Sequence, residues 1–431
     1  MSAGPSADDP RAAAPVEPEQ RRALGVWSLL ALGVNGIVGV GIFFTPNLVA
    51  RWVPGMAGVW AYALTLLALL PVAVTYARLG ARFDRDGGPY VWASAAFGPA
   101  VGFVVGFVAY ASAVLSTSAV LAGLGEYTAP LLGFGAQKQA FSLLAAMLFA
   151  AVVGGGLRPS AWVWSSLTVL KLLPLLLLVG VFFTVGHDVP AAAPLLTTQS
   201  WSRAVLLIVF SMQGFEIVPV PGSHVRSAER AIPIATIGSL VLCAGLYMLI
   251  HWACLRSLGD LASSDAPLIA AARAQGGFRL AALVSLGTNV SAVGIAFGMM
   301  AMTPRYLAAL DFGAAKSPGF VPESRQQVPG RALFVTLVLV VTLLSWGALS
   351  RLFVLSSVAV LFQYSVSVLS LGYLALKRAH GLSPRDAVSA PLALVALGLV
   401  ARAVERAELL VMSGIVGVAL LLWFVRVRSR R

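Results

Sequence analysis

Apolar runs about as long as a bilayer is thick constrain this chain more than any motif. Ala57–Tyr76, Leu167–Val185, Ala231–Ala253 and Leu333–Trp346 carry almost no charge. Runs near 20 residues cross a hydrocarbon core as helices. Inside that core every backbone N–H and C=O must be paired, so a span that breaks must line a cavity or bind something. Of the 431 residues, 59% are hydrophobic and 11% charged, too apolar for a soluble globular protein. Twelve spans are predicted, roughly 24–49, 57–78, 89–124, 136–156, 162–185, 204–220, 232–255, 280–303, 331–348, 353–376, 387–401 and 408–425.

The net charge of +13 does not point to nucleic acid, because of where the charge lies. With twelve spans and both ends on one side, that side collects 20 of the 30 Lys and Arg, including Arg21, Arg22, Arg82, Arg226, Arg230, Lys377, Arg378 and the tail from Arg426. The opposite side collects nine, and Lys171 is left inside a span. This is the positive-inside pattern, and it predicts cytoplasmic termini and a cytoplasmic (inner) membrane location. The Ala-, Pro- and acid-rich residues 1–22 read as a disordered cytoplasmic extension rather than a signal peptide. Four His and two Cys show no metal-ligand spacing, so neither a metal nor a cofactor is expected.

Two spans are spoiled by glycine and proline. The first runs Leu32-Gly-Val-Asn-Gly-Ile-Val-Gly-Val-Gly-Ile-Phe-Phe-Thr-Pro46 and the second Val209-Phe-Ser-Met-Gln-Gly-Phe-Glu-Ile-Val-Pro-Val-Pro-Gly222. Matching breaks in two halves are the best sequence pointer to a transporter's binding site. Spans 1–5 (23–203) and 6–10 (204–380) form two groups of five, each opening with a broken span. An odd count inverts the second group, which predicts a five-plus-five inverted repeat. Two additional C-terminal helices (381–425) and a basic tail (426–431) follow. The expected fold is therefore an all-α polytopic membrane protein with 12 transmembrane helices, of which 1 and 6 are broken.

Gly33, Gly36, Gly39 and Gly41 admit two readings. One is close helix packing through small residues. The other is an unwound backbone, favoured because no GxxxG pair is present. Unwinding bares carbonyls for a cation, and the new half-helix near Val40 and Gly41 offers N–H groups and a positive dipole end to an anion. One broken helix can thus hold both ends of a zwitterion. In the sixth span Gly214 interrupts the helix and Glu216 sits at membrane depth, where a charge is costly. Glu216 either accepts hydrogen bonds from the unwound backbone or acts on substrate or proton.

Three stretches carry a resemblance to the amino acid–polyamine–organocation superfamily of permeases. They are Asn35-Gly-Ile-Val-Gly-Val-Gly-Ile-Phe43, Gly87-Gly-Pro-Tyr-Val-Trp-Ala-Ser-Ala-Ala-Phe-Gly98, and Phe210-Ser-Met-Gln-Gly-Phe-Glu216 followed by Arg230-Ala-Ile-Pro-Ile-Ala-Thr236. The resemblance implies a LeuT-like fold with alternating access, a secondary transporter of amino acids rather than an enzyme. It implies that a substrate carboxylate meets N–H groups at Val40 and Gly41, with Gly39 beside them in the substrate-binding site. The amine then meets carbonyls at Ile37, Phe210 and Gln213, beside Gly214, and the Phe210 ring acts as a gate. Ser112, Ala113, Ser116 and Thr117 would face the substrate side chain. Pro219 and Pro221 depart from the family pattern.

Lys171 lies about 15 Å from the nearer end of its span, a long reach for snorkelling. By resemblance it occupies the place of a sodium ion in related carriers, which implies proton coupling, with Glu216 the second candidate coupling group. Glu126 is the one acidic residue in spans 3, 8 and 10, so a basic substrate would bring an unpaired charge. A neutral amino acid is expected. Tyr110, Asn289 and Gln363 could orient it or could join helices. Alternative readings are an exchanger or exporter, and a substrate-sensing receptor on a transporter fold.

Overall fold

The computed structural model describes residues 24–39, 41–83, 87–156, 172–181, 197–220, 225–310, 328–346 and 348–429. Val40, Lys171, Pro221, most of the fifth predicted span and the N-terminal extension lie outside the described residues.

The described residues are helical throughout, with no strand. In chain order the helices are α1 (Val26–Ile37), α2 (Gly41–Trp52), α3 (Met56–Arg82), α4 (Pro89–Phe97), α5 (Pro99–Leu131), α6 (Lys138–Gly154), α7 (Leu172–Val181) and α8 (Thr198–Met212). Then come α9 (Ala228–Ser257), α10 (Pro267–Ala309), α11 (Gly330–Trp346), α12 (Leu349–Leu376), α13 (Ala390–Ala401) and α14 (Arg406–Ser429). Among the described residues, eight segments are long and apolar enough to cross a membrane, or nine if α1 and α2 form one bent span. This is a multi-pass membrane protein.

Glycine and proline set several helix boundaries. The predicted third span, 89–124, divides at Gly98 (φ +90°), and Pro99 starts α5 at the position where its missing N–H costs nothing. α5 then runs on to Leu131, so the span lies later than predicted. α10 has 43 residues, about 65 Å at helical rise, too long for one crossing. Gly277, at φ +67° and ψ −161°, breaks it, leaving a short helix ahead of the membrane-length part.

Packing pairs helices that are distant in sequence. α3 lies along α9, α5 along α10 and along α12, and α6 along α11. α2 packs on α8, whereas α1 packs on the turn that follows α8. α5 is the most enclosed span and α14 the least. Large apolar side chains such as Trp60, Leu67, Leu410 and Leu421 are exposed, as expected of a lipid-facing surface. Trp27 and Trp346, exposed at helix ends, fit the aromatic belt at a membrane interface.

Candidate substrate-binding site

The first span breaks where the glycines end. α1 stops at Ile37; the Val38 N–H still reaches Val34 O at 2.9 Å, and the Gly39 N–H turns back to Ile37 O at 2.7 Å. α2 restarts at Gly41, inclined 50° to α1. Its first N–H groups have no intrahelical partner, the arrangement that favours an anion.

The second break is at Gln213 and Gly214. Gln213 is extended (φ −61°, ψ 147°), and Gly214 takes φ +127°, which only glycine adopts without strain. A single 3₁₀ turn, Phe215–Ile217, follows. Glu216 Oε2 accepts the Gly214 N–H at 2.8 Å and the Tyr364 hydroxyl at 3.0 Å. These two bonds tie its carboxylate to the break and to α12.

The breaks touch. A Cβ added to Gly214 would lie 2.5 Å from Ile37 N and 2.6 Å from Gly36 O, and one on Gly41 would lie 2.8 Å from Ser211 Cα. A Cβ on Gly33 would meet Val218 and Ser239. Gly33 and Gly36 thus lie in wound helix and serve close packing; unwinding is confined to the residues after Ile37. The glycine cluster does both jobs that the sequence left open, at different positions.

Around this crossing the expected side chains assemble in part. The Ser116 and Ser356 hydroxyls are 2.6 Å apart, Ser356 donates to Gln213 Oε1 at 3.2 Å, and Ser112 Oγ donates to Ser356 O at 3.5 Å. Gln213 Nε2 is buried with no partner among the described residues. Thr117 is turned elsewhere, bonding Ala113 O at 2.7 Å and the Thr303 hydroxyl at 2.9 Å. The Ile37 carbonyl, expected to take an amine, already accepts the Tyr247 hydroxyl at 2.9 Å besides the Gly39 N–H.

Aromatic rings cluster near both breaks. On one side Phe210 stacks on Phe353 (centroids 4.0 Å, planes 17° apart), with Phe44 edge-on to Phe353 and tilted on Tyr127. On the other, Tyr76, Phe215 and Tyr364 contact one another at 5.5 to 5.9 Å, and Tyr76 meets Trp92 at 5.1 Å. The rings on Phe353, Tyr364, Tyr76 and Tyr247 were missed in sequence, because an aromatic in an apolar span looks like core until its partners are known. Tyr110, Asn289 and Gln363 are spent on other helices or their own: Tyr110 on Thr336 (3.1 Å), Asn289 on Thr128 and Ser285, Gln363 on Tyr76 (3.2 Å).

Two helix breaks that meet at glycine inside a multi-pass bundle, with small hydroxyl residues and aromatic rings beside them, fit a carrier of small molecules. Comparison with known sequences agrees. The amino acid permease family profile matches residues 24–425, and the chain belongs to that family, one of transporters rather than enzymes. An uncharacterised transporter of Mycobacterium tuberculosis strain H37Rv is 28% identical over 387 residues, covering 84% of this chain and 83% of its own. The serine/threonine exchanger SteT of Bacillus subtilis is 25% identical over 302 residues, covering 66% of this chain and 67% of its own. Cationic amino acid transporter 4 of Homo sapiens is 25% identical over 260 residues, covering 54% of this chain and 41% of its own.

Proposed function

We propose that the chain is a secondary active transporter that moves neutral amino acids by alternating access, coupled to protons. One observation carries this reading: the two breaks meet backbone to backbone at Gly36 and Gly214, bringing a helix start at Gly41 and the Ile37 carbonyl into one place. A zwitterion has the poles that such a place can hold.

The architecture proposed is the 12-span five-plus-five inverted repeat, with units 23–203 and 204–380 and the pair 381–425 outside it. The pairing of α3 with α9, α5 with α10 and α6 with α11 supports it, since each partner stands five spans later on this numbering. So do the crossed contacts of the two broken spans. The excess of Lys and Arg on one side supports cytoplasmic termini in the inner membrane.

Substrate contacts are assigned to Ile37, Gly39, Val40, Gly41, Phe210, Gln213 and Gly214, with Ser112, Ala113 and Ser116 toward the side chain. Thr117 supports α10 rather than substrate. The uncharged hydroxyls around Gln213 support a neutral substrate. Coupling is assigned to Lys171, so Lys171→Ala abolishes dependence on the pH gradient, and intact sodium-stimulated uptake in that variant would refute it. The relative named as a serine/threonine exchanger supports exchange as the second reading.

The test is a thermal-shift screen of the purified protein against the twenty amino acids and common amines, since a ligand that binds only the native state raises the melting point. Stabilisation by neutral amino acids is expected. Stabilisation by cationic amines alone overturns the neutral assignment, and none at all overturns the transport reading.

A further inference from the structure

A second polar cluster lies inside the bundle, between α3 and α9. His251 is fully buried, and neither ring nitrogen has a hydrogen-bond partner among the described residues. The same holds for the hydroxyl of Tyr62, also fully buried, whose ring is 5.3 Å from the imidazole. Gly58, one turn before Tyr62, makes room: a Cβ there would press into the imidazole, 2.9 Å from Cε1 and 3.1 Å from Cδ2. As packing this is poor chemistry. A phenylalanine would fill the space with no orphaned atom, and buried polar groups without partners call for an explanation.

The cluster leads to the broken first span. Tyr62 also meets the edge of Tyr247, at 6.4 Å between centroids, and Tyr247 is the residue whose hydroxyl holds Ile37 O. His251, Tyr62 and Tyr247 therefore form a column of rings that ends on the unwound backbone. Cys254, buried on the same helix, and Tyr127 of α5, whose hydroxyl donates to Phe43 O, are the other titratable groups at this level. Of the charged groups on the neighbouring helices, Arg51 of α2 donates to Ala262 O and Arg203 of α8 pairs with Glu405 and Glu408. Arg78 and Arg82 lie at the far end of α3, Arg256 is beside Trp252, and Arg273 and Arg279 begin α10. Asp260 and Asp265 are in the loop after α9. Among the described residues, no ion pair or hydrogen bond joins any of these to the imidazole.

We propose that His251 is a proton-binding site of the transport cycle, completed by Tyr62, and that Tyr247 links its charge state to the carbonyl at the first break. The step is simple transfer: the imidazole takes a proton from hydronium on one side of the membrane, leaving water, and returns it to water on the other. Imidazole is the side chain whose unperturbed charge change lies within the physiological pH range. The inference rests on the transport reading above but not on Lys171.

The test uses the full chain in vesicles of phosphatidylethanolamine and phosphatidylglycerol, with a radiolabelled mixture of the twenty amino acids as probe. Uptake driven by an acid-outside gradient is divided by exchange measured without a gradient in the same vesicles. The wild type is expected to give a ratio well above one, and His251→Phe and His251→Gln to bring it to about one by removing the titrating group. Melting is followed in parallel; His251→Phe, which removes the orphaned atoms, is expected to melt no lower than the wild type. A ratio that survives in either folded variant overturns the proposal, as does a wild type that exchanges without responding to pH. If both variants fail to fold, the ring is structural and the proposal is also overturned. A wild type that transports nothing refutes the transport reading instead.

Discussion

Gly214→Ala tests whether the two breaks hold each other. The backbone there has φ +127° and ψ −26°, a conformation that costs a side-chain-bearing residue about 1–3 kcal/mol. The added methyl would also sit 2.5 Å from Ile37 N and 2.6 Å from Gly36 O, backbone atoms that cannot rotate away. Overpacking of that kind costs about 1–3 kcal/mol. The sum, about 2–6 kcal/mol, is large against the marginal stability of proteins. Two controls calibrate it. Gly36→Ala meets chiefly Ile217 Cδ1, at 2.7 Å, the end of a flexible side chain, so a loss of about 1 kcal/mol or less is expected. Gly245→Ala meets nothing within 4 Å in the middle of α9 and gains up to about 1 kcal/mol from helix propensity. Melting of the purified variants in detergent, with amino acid exchange in vesicles, reads the series. The expected order of stability is Gly245→Ala, Gly36→Ala, then Gly214→Ala, with exchange lost in the last. A Gly214→Ala protein that melts with the wild type and still exchanges would refute the idea that this crossing positions the site.

Glu216→Gln keeps an oxygen that can accept from the Gly214 N–H and the Tyr364 hydroxyl, whereas Glu216→Ala orphans both, at about 1–3 kcal/mol each. Exchange surviving in the Gln variant and failing in the Ala variant is expected; equal loss in both would give the charge itself a role. Arg203, 8% exposed on α8, is held by Glu405, just before α14, and by Glu408 in the first turn of α14. Arg203→Ala leaves Glu408 unpaired at 13% exposure and is expected to cost about 1–3 kcal/mol in melting, against at most about 1 kcal/mol for Glu405→Ala, whose carboxylate is 60% exposed. Asp386, in the loop before α13, is pushed up by partial burial. The Ser383 N–H and hydroxyl, with Arg78 and Arg82, outweigh that and hold it below its ordinary value. A depressed carboxyl stabilises the fold above its unfolded pKa and loses that contribution as pH falls through the folded one. Asp386→Asn should therefore flatten the acid limb of the melting curve below about pH 4 and lower the melting point at neutral pH, where the carboxylate's contribution is fully present.

The class of fold was legible because lipid leaves the backbone few choices. Charge-free runs give the spans, and the breaks announce themselves as glycine where an apolar helix should continue. Boundaries were less legible. Nothing in the composition of 89–124 distinguishes α4 from α5; only the Gly98-Pro99 step does, and its effect depends on where the chain is next received. The site was readable in its backbone and not in its side chains. Gly214 is visible as a breaker, but that it rests on Gly36 is a contact across the whole first half of the chain. Gly33 and Gly36 look like unwinding residues because one-dimensional spacing cannot show which neighbour needs their missing side chains. Thr117 reads like Ser116, yet one turns to Thr303 on α10 and the other to Ser356 on α12.

Tyr247 links these observations most closely. Its hydroxyl and the Gly39 N–H share the Ile37 carbonyl, whose two lone pairs are thereby filled. On the alternating-access reading, an amine that binds this carbonyl must displace Tyr247 rather than occupy a vacant acceptor. The exchange is near neutral in hydrogen bonds if the released hydroxyl finds another partner, and the orphaned Tyr62 hydroxyl stands in the adjacent ring. Substrate arrival would then shift the column that ends at His251. By linkage, a group that senses the substrate in this way must bias substrate binding to the same degree. Tyr247→Phe frees the carbonyl without altering the ring, so it should tighten amino acid binding and weaken its dependence on pH together. Binding tightened with the pH dependence intact would separate the carbonyl from the column.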